Sequence, residues 1–169
     1  VVGFRRLRIG AAHGGDIHVD EHRGRHFLRE DPSHAVRDLD GLDAGEFGAV
    51  VNLAGAPIGD ARWTDSRRKL LLDSRIDVTR GVVEWIGRAR HAPPALISAS
   101  AVGWYGEQGD REITEDTPPT PGFTHDLCAA WEAEAERATA HGARVCRMRI
   151  GVVLDRNGGA LAKMLPAFR

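Results

Sequence analysis

At 169 residues, 42% hydrophobic and 28% charged, the chain has the composition of one soluble domain, or of part of a larger protein, able to bury a core. A formal net charge of −1 gives no support to a nucleic-acid or anionic-membrane partner, and basic runs such as Arg67-Arg68-Lys69 are soon followed by acidic residues. No apolar run approaches the ~18 residues of a membrane span, and two cysteines, Cys128 and Cys146, make no disulfide framework, so a reducing cytoplasm is the expected setting.

The chain begins at Val1 without a signal-peptide core and stops directly after an apolar helical pattern, which reads as a piece of a longer protein. Residues 1–46 differ in texture from residues 47–169. They hold five of the eight histidines, with strand character only at residues 6–9 and 25–28. His18, His22 and His26 recur every fourth residue and on a helix would form a stripe for Zn²⁺ or Ni²⁺. Gly24 interrupts that stretch and its apolar content is low, so a solvated segment without a metal is expected.

From Phe47 the pattern sharpens. Residues 49–54 are a nearly continuous apolar run, as in a parallel strand buried on both faces. Thr64 is a good N-cap for a helix to about Arg90, with Leu71, Ile76, Val78, Val82, Val83 and Ile86 for its buried side and Ser74 or Asp77 as points where it can break. Pro93-Pro94 cannot continue that helix, and a strand at residues 96–100 follows. The polar, proline-rich stretch 107–122 is too long for a simple connection. A helix from Asp126 to about Ala140 is expected to stop at His141-Gly142. Residues 144–154 return as a strand containing Gly151, and a last helix covers 160–165. This alternation predicts an α/β fold with a doubly wound, Rossmann-like parallel sheet.

Two strand ends carry the chemistry. Asn52-Leu53-Ala54-Gly55 puts small residues where backbone must approach something closely, a role that a plain strand-to-loop turn would also satisfy. One helix later, Leu96-Ile97-Ser98-Ala99-Ser100 delivers hydroxyls to a strand end and runs into the turn Gly103-Trp104-Tyr105-Gly106. Together these favour a ligand crevice.

The stretches VVNLAGAPI, RWTDSRRKLLLDSRIDVT, LISASAVGWYG, FTHDLCAAWE and RMRIGVVLDRNGGALAKMLPAFR resemble the extended short-chain dehydrogenase/reductase superfamily, in particular its nucleoside-diphosphate-sugar epimerase-like subgroup, over residues 47–169. The resemblance implies a Rossmann domain holding NADP or NAD, with a smaller C-terminal domain over a small-molecule substrate. It implies that Leu53 and Ala54, flanked by Asn52 and Gly55, line the adenosine side of the cofactor. It further implies that Arg75 contacts the cofactor, that Val153 offers backbone near the nicotinamide, and that Ser100 is the catalytic serine, with Ser98 structural. Without the resemblance, Arg75 reads as an arginine snorkelling along a helix surface.

The departures bear on chemistry. The superfamily's Tyr-x-x-x-Lys dyad cannot exist in a chain whose one tyrosine is Tyr105 and whose lysines are Lys69 and Lys163. The Gly-x-x-Gly-x-x-Gly turn that would cradle the pyrophosphate is also absent; Ile9-Gly10-Ala11-Ala12-His13-Gly14-Gly15 is the nearest candidate, and no apolar-faced helix follows it. The sheet is therefore expected to be incomplete, its first βα unit and its substrate domain missing or degenerate. His125 and Cys128, three apart at a helix start, would form a low-pKa thiolate if they paired; a buried cysteine is the plainer reading. Tyr105 is expected to pack its loop, and Trp131-Glu132 to be helix packing plus a solvated charge. The expected function is an NAD(P)-dependent oxidoreductase or epimerase acting on a hydroxyl-bearing or nucleotide-sugar substrate. The alternative is a non-catalytic, truncated nucleotide-binding module.

Overall fold

The computed structural model describes residues 7–9, 19–20, 25–26, 39, 41–59, 61–91, 95–155 and 159–168. Four strands, β1 (Leu7–Ile9), β4 (Ala49–Asn52), β5 (Ala95–Ala101) and β6 (Arg144–Ile150), form one sheet in the order β1-β4-β5-β6, every neighbouring pair parallel. Two two-residue strands, β2 (Val19–Asp20) and β3 (Arg25–His26), pair antiparallel with Val19 opposite His26. His26 therefore lies in a strand rather than on a helical ligand stripe. His18, His22 and the glycine-rich stretch 10–15 lie outside the described residues.

The helices cross back between the parallel strands. Helix α1 (Asp65–Gly87) follows β4, α2 (Phe123–Glu136) follows β5, and α3 (Gly159–Met164) follows the short β7 (Leu154–Asp155). Thr64 caps α1 as expected, its Oγ1 accepting the Arg67 N–H at 3.2 Å. Neither Ser74 nor Asp77 breaks the helix. Ser74 is buried and its hydroxyl bonds within the chain, donating to the Leu71 carbonyl at 3.2 Å and accepting the Ala56 N–H at 3.0 Å. A small polar residue in mid-helix here fastens the loop that enters it.

Helix α2 starts at Phe123, three residues before the expected Asp126. The reason is tertiary: Phe123 meets Trp63 edge-on at 5.3 Å, which draws the first turn into the packing. The stop is where the sequence placed it. Helix α2 runs into a 3₁₀ turn (Arg137–His141) that closes at Gly142, whose φ of 83° is the left-handed conformation favoured at such ends. The predicted strand 144–154 divides, β6 ending at Ile150 and β7 beginning at Leu154.

One core lies between the sheet and the α1–α2 layer, built on Phe47, Val50, Val82, Val83, Ile86 and Leu96. Leu96, fully buried, pairs in register with Val50 on one side and Val145 on the other. Burying such a side chain contributes roughly 1.5–3 kcal/mol. A second cluster, Leu71, Leu127 and Cys128, packs with Ala101, Trp104 and Phe123 toward the carboxyl end of the sheet. No helix among the described residues is long and apolar enough to cross a membrane.

Candidate functional site

In an open parallel sheet, ligands collect at the carboxyl ends of the strands. Asn52–Gly55, Ser100 and Val153 all follow or end such strands, so parallel pairing alone gathers them along one edge.

The exit of β4 is held from inside. Asn52 is buried, its Nδ2 donating to Thr79 Oγ1 at 2.9 Å while its Oδ1 accepts the Ala54 N–H at 3.2 Å. Thr79 Oγ1 also accepts the Trp131 indole N–H at 2.9 Å, so one hydroxyl joins β4, α1 and α2. Leu53 is half-buried, and Ala54 packs on Val78.

Arg75 is turned inward rather than along the helix surface. Its Nη2 donates to the Ala56 carbonyl and its Nη1 to the Leu71 carbonyl, both at 3.1 Å, and its Cζ stands 5.2 Å from the Trp131 ring centroid. Gly55 lies directly beneath it: an added Cβ would fall 2.9 Å from Arg75 Cζ. Burial pushes the Arg75 pKa down, and the nearby Arg67 charge adds to that. Val153 leaves the sheet at the same edge with 67% of its surface exposed.

Ser100 anchors the second half of the site. Its buried hydroxyl donates to Glu132 Oε1 at 2.6 Å. Arg149 approaches the same carboxylate from β6 as a fork, Nε to Oε1 at 2.8 Å and Nη2 to Oε2 at 3.0 Å. Its Nη1 donates to the Tyr105 hydroxyl at 3.0 Å, and its Cζ lies 3.5 Å from the Trp104 ring centroid. Burial alone would raise the Glu132 pKa; the Arg149 fork and the Ser100 hydroxyl outweigh it and hold the carboxyl below its usual range.

Glu132 is therefore not a solvated charge, as expected from sequence, but 5% exposed and at the centre of this cluster. The missed signal was periodicity. Cys128, Trp131, Glu132 and Ala135 are all buried on one face of α2, which placed a carboxylate on the apolar side.

The candidates for replacing a tyrosine base separate. His125 Nδ1 meets the Trp104 carbonyl at 2.6 Å and its ring packs edge-on to Trp104. Cys128 is buried beside Ser100, and burial pushes its thiol pKa up, so it is no activated thiolate. Tyr105 packs, as expected: it is 6% exposed and tied to Arg149. The long loop folds back on this turn, with the Thr120 N–H donating to the Tyr105 carbonyl at 2.8 Å and Gln108 Nε2 to the same oxygen at 2.7 Å. Between that loop and β6 opens a cleft of about 610 Å³, lined among others by Val102, Tyr105, Ile113, Arg147 and Arg149.

A parallel sheet in this order, with helical crossovers and a polar carboxyl edge, defines a Rossmann-like α/β protein. The chain belongs to the NAD dependent epimerase/dehydratase family, whose model matches residues 5–168. An Epimerase family protein of Mycobacterium bovis is 38% identical over 165 residues, covering 98% of this chain and 50% of its own length. The chloroplastic homolog of Epimerase family protein SDR39U1 from Arabidopsis thaliana is 43% identical over 123 residues, covering 72% of this chain and 35% of its own length. Among solved structures, human epimerase family protein SDR39U1 (isoform 2) with NADPH superposes with a TM-score of 0.73 at 25% identity, over 96% of this chain and 59% of that one. The nucleoside-diphosphate sugar epimerase of Corynebacterium glutamicum gives 0.70 at 26% identity, over 96% and 37%. The chain thus spans about half the length of the Mycobacterium bovis relative.

Proposed function

We propose that the chain carries the cofactor-binding part of an NAD(P)-dependent epimerase-like or oxidoreductase enzyme acting on a small hydroxyl-bearing or nucleotide-sugar substrate. The observation that carries this reading is the Ser100 hydroxyl, set at the carboxyl end of β5 on a buried carboxylate, in a chain of the NAD dependent epimerase/dehydratase family. The β4 exit fits a dinucleotide: Gly55 lets the Arg75 guanidinium lie directly on the backbone, and among the described residues no carboxylate is bound to that fork. Asn52, Leu53, Ala54, Gly55 and Arg75 would hold the adenosine- and phosphate-bearing side, and Val153 would offer backbone on the nicotinamide side. Every one of these contacts falls within residues 47–169. Two free cysteines suit a reducing, cytoplasmic setting.

A bound nicotinamide supplies the hydride acceptor and donor. The protein's own part is to orient the reacting oxygen. Because Ser100 donates its proton to Glu132, it turns lone pairs toward any further partner and is set to accept a hydrogen bond from a substrate hydroxyl. Arg149 fixes the carboxylate and so the serine rotamer. The solved human relative was crystallised with NADPH, which supports NADP over NAD here.

A second reading, a non-catalytic nucleotide-binding module, is favoured by the missing Tyr-x-x-x-Lys dyad and by a His125–Cys128 pair that does not form an activated thiolate. Fluorescence titration of the folded protein with NADPH and NADH tests the first. Saturable binding, tighter for NADPH, is expected; no saturable binding of either overturns it. Binding with no hydride transfer to or from a panel of nucleotide sugars would favour the module.

A further inference from the structure

We infer that Arg67 and Arg75 form a phosphate-binding pair at the exit of β4. Both guanidinium groups reach from α1 to consecutive backbone carbonyls of the same loop, Arg67 Nη2 to Pro57 and Arg75 Nη2 to Ala56. They are thus held side by side over a loop whose small residues Ala54, Gly55 and Ala56 leave the backbone low.

Two cations this close call for a counter-anion. Among the described residues, no carboxylate pairs with either arginine. The acidic groups of α1 that make ion pairs make them elsewhere, Asp73 with Lys69 at 2.6 Å and Asp77 with Arg80 at 2.9 Å. Among the described residues the Arg67 guanidinium donates to the Pro57 carbonyl, and its Nε is buried without an acceptor. A desolvated guanidinium donor left unpaired is costly unless an anion completes the site. Arg67 is also the third residue of α1, where the helix dipole disfavours a cation and favours an anion. Burial pushes the Arg75 pKa down, and the neighbouring Arg67 charge pushes it the same way.

Planar donor forks set side by side match the oxygens of a phosphate or diphosphate. Two ligands bring that chemistry to this edge: the diphosphate of a dinucleotide, and that of a nucleotide-sugar substrate. The pair rests on the cofactor reading only for which of the two bears the phosphates.

The test is calorimetric titration of the 169-residue chain with inorganic pyrophosphate, then with NADPH and with UDP. The wild type is expected to bind pyrophosphate saturably and more weakly as salt rises. Arg67→Gln should weaken that binding about tenfold and Arg67→Lys, which keeps the charge and loses the fork, several-fold. Circular dichroism shows that each variant is folded, and should Arg67→Gln fail to fold, the salt dependence and Arg67→Lys carry the test. Competition by NADPH assigns the site to the cofactor; competition by UDP, with NADPH still binding, assigns it to the substrate. Equal pyrophosphate affinity in wild type and both variants, or none in the wild type, overturns the pair. If NADPH then binds all three proteins alike, the cofactor reading survives that failure. If pyrophosphate binds through Arg67 and NADPH binds nowhere, the pair stands and the cofactor reading falls.

Discussion

At the scale of single residues, Glu132 shows how much one side chain can carry. It is the acceptor for Ser100 and for both arms of Arg149, so removing its charge strands a guanidinium held against Trp104 and Tyr105. Glu132→Ala is expected to cost about 3–5 kcal/mol in chemical denaturation, the range for breaking one partner of a buried ion pair. The sign of the pH dependence follows from the same contacts. The folded carboxyl titrates below its unfolded value of about 4.3. Its contribution is therefore full above that value and is lost as pH falls through the lower folded pKa. Stability measured from pH 7 downward should fall in that window for wild type and fall less for Glu132→Gln; identical slopes would remove Glu132 as the cause. The helical period of α2 carried the burial of Glu132 but not its ion-pair partner. The partner of Glu132 lies 17 residues away on a different element, and only the fold brings an α2 carboxylate to a β6 arginine.

At the scale of elements, local rules served well where backbone chemistry decides and less well where packing does. The Thr64 cap, the Gly142 stop and the apolar runs of β4 and β5 are all where capping, left-handed glycine and burial on both faces require them. The start of α2 lies three residues earlier than expected because Trp63, in the loop before α1, recruits Phe123. Gly106 tests the turn that orients Trp104 and Tyr105. Its φ is 69°, and an added Cβ would lie 2.2 Å from the Thr120 carbonyl oxygen, a backbone atom that cannot step aside alone. Gly106→Ala should therefore cost roughly 2 kcal/mol or more, through left-handed strain and the clash together. It should also release the Thr120–Tyr105 hydrogen bond, giving faster amide exchange at Thr120. Unchanged exchange and stability would show that the loop is held by Gln108 alone.

At the scale of the whole molecule, the question is what makes one strand and two helices a single cooperative unit, and the answer is a hydroxyl. Thr79 is fully buried in α1 and accepts from Asn52 of β4 and from Trp131 of α2, both at 2.9 Å. Asn52, expected from sequence to flank the cofactor-lining Leu53 and Ala54, has its side chain folded into the protein, where it holds the Leu53–Gly55 backbone in place through Ala54. An Asn–Leu–Ala–Gly string reads alike for both roles, because the direction of the amide is set by a threonine 27 residues on. Thr79→Val keeps the shape and deletes the acceptor, stranding a buried amide and a buried indole N–H. At about 1–3 kcal/mol for each unsatisfied group, a loss of roughly 2–6 kcal/mol is expected, with Thr79→Ser retaining most of the stability. Because the same hydroxyl braces the β4 exit, Thr79→Val should also weaken NADPH binding at temperatures where the protein stays folded, whereas a purely local packing role would lower stability and leave that binding unchanged.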